Sequence, residues 1–230
     1  MLSTHNLTAF YGDFQALFGI DVEVNAGEIV AIIGANGAGK STLLKAVTGL
    51  VPTRSEAVRF MGEPIGGRPA HRILSLGVAM VPEGRRLFPS LSVEENLQLG
   101  AYRKRPGPWT LDRVYELFPA LSEKRRASST ALSGGQQQMA AIGRALMTNP
   151  KLLICDEMSL GLAPIVIKSV YDALPDVVRQ GVALMIVEQD VGLAMRVSQR
   201  LYCLQEGRVA LAGRSQELTR EQVSAAYFGV

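Results

Sequence analysis

Five short apolar runs punctuate the chain: Ile29–Ile33, Val78–Val81, Leu152–Cys155, Ala183–Val187 and Leu201–Leu204. Each is four or five residues long and apolar throughout. Continuous runs of that length, without alternation, predict strands buried on both faces. Helical patterning lies between them, over Thr42–Val47, Gln137–Met147, Pro164 to about Gln180, and Val191–Val197. Strands alternating with helices predict an α/β fold, a parallel sheet with helices on its faces. The first part of the chain reads differently. Leu2–Phe10 and Leu17–Val24 alternate loosely as strands, Asn25–Glu28 turns into the first buried run, and Ala57–Gly62 looks like another strand closed by a turn. From about Ser92 to Arg126 the pattern becomes helical, as in Val93–Leu99, with a breaker at Arg105-Pro106-Gly107-Pro108. This middle stretch reads as a helical insertion.

Composition adds bounds. The chain has 230 residues, 47% hydrophobic and 20% charged, which is enough for a good core in a folded protein. No stretch approaches the roughly 18 apolar residues of a membrane helix. The N-terminus, Met1-Leu2-Ser3-Thr4-His5-Asn6, has neither basic residues nor a signal-like apolar segment. A cytosolic location is expected, with any membrane role requiring a partner. Cys155 and Cys203 sit in apolar strand-like surroundings and are expected to pack as small hydrophobes. With His5 and His71 the only histidines, a Cys/His metal cluster is not expected. The net charge is +3, and Arg103-Lys104-Arg105 and Lys124-Arg125-Arg126 are short basic clusters best read as solvated. Nucleic acid is not an expected partner.

Chemistry enters at Gly34-Ala35-Asn36-Gly37-Ala38-Gly39-Lys40-Ser41-Thr42, which fits Gly-x-x-x-x-Gly-Lys-Ser/Thr without mismatch. An apolar strand precedes it and a helix follows, as a phosphate-binding loop requires. Glycines let successive N–H groups turn toward an anion, and the helix N-terminus adds its positive end. Lys40 would reach the β- and γ-phosphates and the Ser41 hydroxyl would ligate Mg²⁺. The motif implies a nucleoside triphosphate, with Mg²⁺, as ligand. A second strand ends in two carboxylates, Leu152-Leu153-Ile154-Cys155-Asp156-Glu157. Asp156 is placed to present a carboxylate to Mg²⁺, and Glu157 to polarise an attacking water. Between these two motifs, Leu132-Ser133-Gly134-Gly135-Gln136 opens a helix with two glycines. Ser133 can cap that helix, and free N–H groups there can face an anion.

Together these motifs resemble the nucleotide-binding subunits of ATP-binding cassette (ABC) transporters, over essentially the whole chain. The resemblance implies one ATP-binding domain, 1–230: a phosphate-loop core, an N-terminal antiparallel β subdomain, and a helical subdomain inserted at about 87–150. It implies that Tyr11 stacks on adenine and that Gly34 to Thr42 hold the phosphates and Mg²⁺. Asp156 would orient Mg²⁺ and Glu157 would be the general base. Ser133, Gly134, Gly135 and Gln136 would contact the γ-phosphate held by a partner cassette, so that two ATPs lie in a head-to-tail dimer. Ser159-Leu160-Gly161-Leu162 resembles the loop passing between the two sites.

Two positions depart from the family pattern. Glu83, in Val81-Pro82-Glu83-Gly84-Arg85-Arg86, stands where a glutamine usually touches Mg²⁺ and the transporter interface. A glutamate can still ligate through oxygen but adds charge. Gln189, in Val187-Glu188-Gln189-Asp190, stands where a histidine usually senses the γ-phosphate. A carboxamide donates a hydrogen bond there but takes up no proton near neutral pH. Val-Pro-Glu-Gly-Arg-Arg, Ser-Leu-Gly-Leu-Ala-Pro (159–164), Val-Glu-Gln and the end Ala226-Tyr227-Phe228-Gly229 resemble the branched-chain amino acid importer ATPases of the LivF type. Met158 replaces the proline common there, a change expected to affect loop stiffness more than chemistry. The implied partners are two transmembrane permease subunits, a sister ATP-binding subunit or a second copy, and indirectly a solute-binding protein. The implied location is peripheral, on the cytoplasmic face of the plasma membrane. A urea or amide importer is the main rival; an ABC ATPase acting on ribosomes or DNA fits less well, with one cassette and a short insertion. A GTPase or small-molecule kinase fits least, with no Asn-Lys-x-Asp motif.

Overall fold

The computed structural model describes residues 1–229. It divides into two compact units: Met1–Leu76 with the segment from Ala183 onward, and Gly77–Val182. Both alternating stretches near the N-terminus break in two, giving β1 (Leu2–Thr4), β2 (Leu7–Tyr11), β3 (Phe14–Ile20) and β4 (Glu23–Val24). Asn6, at φ 45°, takes the left-handed turn between the first pair. Thr4 closes the second break: its hydroxyl donates to the Ile20 carbonyl at 2.8 Å and accepts from Val22 N–H at 2.8 Å. β5 (Ile29–Ile33) follows with all five residues buried, as a run with no polar alternation demands. α1 (Lys40–Val47) begins two residues before the apolar pattern that announced it. Then come β6 (Val58–Phe60), β7 (Glu63–Pro64) and α2 (Ala70–Leu76). β4-β1-β6-β7 form an antiparallel sheet, and β2-β3 a hairpin on which α1 packs.

The second unit starts with β8 (Val78–Val81) and continues through α3 (Val93–Gly100), α4 (Leu111–Leu117), α5 (Pro119–Glu123) and α6 (Gly134–Leu146). It ends with β9 (Leu152–Asp156), α7 (Pro164–Asp172) and α8 (Leu174–Arg179). α3 opens on a capping box, Ser92 with Glu95. Its C-terminal Gly100 faces α6 so closely that a Cβ there would strike the Arg144 carbonyl; a Cβ on Gly143 would strike Leu97 and Val114. Glycine at these two positions is what lets α3, α4 and α6 meet. The Arg105–Pro108 breaker is a loop clamped by Asn149, which accepts from Trp109 N–H at 2.8 Å and donates to the Arg105 carbonyl at 3.1 Å. The single helix expected over Pro164 to Gln180 is two, joined at Ala173. Pro175 is the reason, since it lacks the N–H for its helical bond and its ring crowds the carbonyl four residues back. β8 and β9 are parallel, with Val81 opposite Cys155.

The chain returns to the first unit with β10 (Ala183–Val187), α9 (Val191–Val197), β11 (Arg200–Gln205), β12 (Arg208–Arg214) and α10 (Arg220–Phe228). Four strands line up as β12-β11-β5-β10. β10 and β11 run parallel to β5, and β12 antiparallel to β11. α9 packs on β5, and α10 on β11 and β12. α2, β12 and α10 were not anticipated from the apolar runs. β12 alternates exposed and half-buried positions, the mark of a strand open on one face.

Candidate nucleotide site

The glycine-rich loop expected to bind phosphate connects β5 to α1, and its glycines do different jobs. Gly34, Gly37 and Gly39 have φ of 146°, 84° and 103°. A Cβ on Gly34 would collide with the Leu204 carbonyl, and one on Gly39 would lie 2.8 Å from Leu17 Cδ2. Gly37 has open space around it and needs only its backbone freedom. The turn after β11 supports the loop from behind, Gly207 N–H donating to the Ala38 carbonyl at 3.0 Å. Lys40, 5% exposed, curls back so that Nζ donates to the Gly34 and Ala35 carbonyls at 2.7 and 3.0 Å. That posture holds the ammonium within the loop's arc. α1 has no side-chain cap and no acidic residue in its first turn, so no carboxylate there offsets the positive end of the helix, which favours an anion.

Other anticipated residues gather around the loop in the same unit. Tyr11 ends β2, is 46% exposed, and its hydroxyl lies 3.5 Å from Thr42 Oγ1. Its ring is therefore available beside the start of α1. Gln189 follows β10, whose Val187 pairs with Ile32 of β5, so both loops leave the same end of the sheet. Gln189 Nε2 donates to Asn36 Oδ1 at 3.4 Å, which ties the 189 side chain to the phosphate loop. Ligands in open parallel sheets bind at such carboxyl ends. Behind the loop, Cys203 faces Ile33 across β11 and β5 and is buried. Burial pushes its thiol up to about 11.

The second unit holds the acidic pair and the Ser-Gly-Gly-Gln segment. Asp156 is the last residue of β9 and is 5% exposed. Glu157 follows at φ 46°, a left-handed conformation costly for a side chain that is not Asn, Asp or Gly. Glu83 lies two residues beyond β8, and the β8–β9 register puts it at the same sheet end as Asp156 and Glu157. Ser133 caps α6: its hydroxyl accepts from Gln136 N–H at 3.3 Å, while Gln136 Oε1 accepts from Ser133 N–H at 3.0 Å. The helix starts at Gly134, three residues before the expected Gln137. Gly135 owes its identity to packing, since a Cβ there would strike Val166 of α7. Gly134 instead faces the Arg85 guanidinium, whose nitrogens would lie 3.4 Å from a Cβ at that position.

Among the described residues no three His, Cys, Asp or Glu side chains cluster as a metal site. The available donors are the Ser41 hydroxyl in one unit and the Asp156 and Glu83 carboxylates in the other. Hydroxyl and carboxylate oxygens are both ligands of the kind Mg²⁺ takes.

The family model described as ABC transporter matches residues 17–159 of this chain. The chain belongs to the ABC transporter family. The matched stretch contains the phosphate loop, Glu83, Ser133 to Gln136, Asp156 and Glu157, and leaves Tyr11 and Gln189 outside. Over its whole length this cassette is 44% identical to the high-affinity branched-chain amino acid transport ATP-binding protein BraG of Pseudomonas aeruginosa, and covers all of that protein. It is 35% identical to a probable branched-chain amino acid transport ATP-binding protein, LivF, of Archaeoglobus fulgidus, covering 96% of this chain and 95% of that one. A solved ATP-binding cassette of an ABC transporter superposes with a TM-score of 0.86 at 27% identity, covering 99% of this chain and 98% of its own. An ADP conformation of an ATP-binding cassette superposes at 0.84 with 28% identity, covering 100% and 99%.

Two contributors to the cassette's geometry escaped sequence reasoning. Gly207 supports the phosphate loop from far along the chain, and its signal is the Glu206-Gly207 turn between two apolar runs. Arg85 reaches the α6 terminus, and the doubled arginine after Glu83-Gly84 is its only mark in the sequence. No helix among the described residues is long and apolar enough to cross a membrane.

Proposed function

We propose that this chain is the ATP-hydrolysing subunit of an importer of branched-chain amino acids, a single ATP-binding domain with its helical subdomain at about 87–150. The whole-length 44% identity to BraG carries the substrate class. The intact motifs support the chemistry. Lys40 and the loop N–H groups bind the β- and γ-phosphates, with Tyr11 against the adenine. Ser41, Asp156 and Glu83 would hold Mg²⁺, which when bound would neutralise phosphate charge. Glu157 accepts the proton of the attacking water, and Gln189 donates a hydrogen bond toward the γ-phosphate, its amide already oriented by Asn36. Ser133 to Gln136 contact the nucleotide of a partner cassette, either a sister subunit or a second copy. ATP-driven closure then pulls on two permease subunits fed by a solute-binding protein, with this chain peripheral on the cytoplasmic face of the membrane. Because Gln189 has no titrating ring, hydrolysis here depends on Glu157 for proton acceptance.

The test is a pull-down of tagged protein from detergent-solubilised native membranes. Two multi-span permeases and a second ATP-binding subunit are the expected companions. Ribosomal or DNA-associated partners without a membrane protein would overturn the transport reading and leave the ATPase.

A further inference from the structure

The loop after β8 folds in an unfavourable way. Gly84, Arg85 and Arg86 occupy the left-handed region in succession, at φ 75°, 65° and 48°. Two arginines in that region cost free energy that surrounding contacts must offset. The contacts are specific. Arg85 Nη1 donates to Gln137 Oε1 at 3.2 Å, and Arg144 Nη2 donates to the Arg85 carbonyl at 3.0 Å. Both partners are on α6, so the first and third turns of one helix hold the loop. Gln137 passes the connection on: its Nε2 donates to the carbonyls of Ser129 and Leu132 at 3.3 and 3.4 Å. Those carbonyls belong to the segment that delivers Ser133. The loop's other end is tied too, Phe88 N–H donating to the fully buried Asn96 at 2.8 Å and the Ser129 hydroxyl donating to the Phe88 carbonyl at 2.9 Å.

We propose that Arg85 is a positioning residue that locks the Glu83 loop to the Ser133–Gln136 segment through Gln137, so that the two present themselves to nucleotide together. This rests on the reading of Ser133 to Gln136 as the contact to a partner cassette's nucleotide. The Arg85–Gln137 guanidinium–carboxamide bond carries a displacement of the Glu83 loop to the α6 terminus, with the Ser129 and Leu132 carbonyls beyond it. Arg85 touches no phosphate in this role; it fixes the direction in which the Ser133 end faces. A charge-assisted bond of this kind is worth enough for about a tenfold effect when one partner is removed.

A double-mutant cycle on the full chain tests it, with Arg85→Ala, Gln137→Ala and both together. Steady-state ATP hydrolysis and binding of a fluorescent nucleotide are the readouts. Each single change is expected to lower kcat about tenfold, the pair to do no more than the worse single change, and nucleotide affinity to stay within about twofold. Multiplying effects in the pair, or an Arg85→Ala kcat equal to wild type, would overturn the proposal. If Arg85→Ala does not fold, Arg85→Met keeps the stem, removes the donors and reads the same coupling. Ser133→Arg in parallel separates the two levels. Hydrolysis surviving that change removes the shared-site reading, whereas an inactive Ser133→Arg with additive Arg85 and Gln137 effects removes only the positioning role.

Discussion

Ser133 has two duties, and a pair of substitutions separates them. Its hydroxyl closes the capping box of α6, and it is proposed to contact a phosphate bound by the partner cassette. Ser133→Ala removes both. Losing a cap costs about 1 kcal/mol, which in a chain of this size lowers Tm by roughly 2–4 °C. Ser133→Asp keeps the cap, because a carboxylate oxygen accepts from the Gln136 N–H as the hydroxyl does. A negative charge at a helix N-terminus adds about 0.3–1 kcal/mol, so Tm holds or rises. The same charge meets the incoming phosphate. At about 4 Å and an effective dielectric near 20, two unit charges repel by about 4 kcal/mol. That penalty corresponds to roughly a thousandfold loss in dimer-dependent hydrolysis. Thermal unfolding followed by circular dichroism, beside a phosphate-release assay, gives both numbers on the same samples. The expected ranking crosses over: Ala is the less stable protein and Asp the less active one. Ser133→Asp hydrolysing ATP at the wild-type rate would refute the phosphate contact, whatever its stability.

Lys40→Ala removes the ammonium that now bonds the Gly34 and Ala35 carbonyls, and ATP affinity by titration calorimetry is expected to fall at least about tenfold; unchanged affinity would contradict the loop's assignment. Glu157→Gln should leave ATP affinity intact while hydrolysis nearly stops and an ATP-bound dimer accumulates on size-exclusion chromatography; continued turnover would remove Glu157 as the base. Cys203 sets a stability limit at high pH. Its thiol is held protonated in the fold up to about 11 against an ordinary value of 9.0, so its contribution is complete below pH 9 and lost as pH rises through that window. Denaturant midpoints measured across the window should fall for wild type and fall less for Cys203→Ala; equal slopes would show that the thiol is not the cause.

The buried strands were legible because each is apolar without interruption and short, as with Ile29–Ile33, where all five residues are inside. The proposed phosphate loop stands out in the sequence for another reason: its motif is carried by consecutive residues, so spacing alone defines it. What escaped notice depends on contacts between residues distant in sequence. Gly207 backs Ala38 from the far side of the chain, and Arg85 finds its partner on α6. Neither pairing leaves a periodic trace. α10 is an intermediate case. Thr219 and Gln222 form a capping box, and Gly229 closes the helix at φ 74°, so both ends carried a signal that the weakly apolar body between them obscured. The split at Ala173 was likewise present in the sequence as Pro175, outweighed by the helical pattern on either side of it.

The claim at the centre is that hydrolysis by this chain drives uptake of branched-chain amino acids. The measurement that bears on it most directly is ATP hydrolysis by the complex purified with its permeases and reconstituted in liposomes, with its solute-binding protein presented at the opposite face. Leucine, isoleucine or valine on the binding protein should accelerate phosphate release and carry labelled solute into the lumen, and Glu157→Gln should abolish both. Acceleration by urea or another amide with none from leucine would contradict the substrate assignment, and hydrolysis indifferent to any loaded binding protein would contradict transport itself.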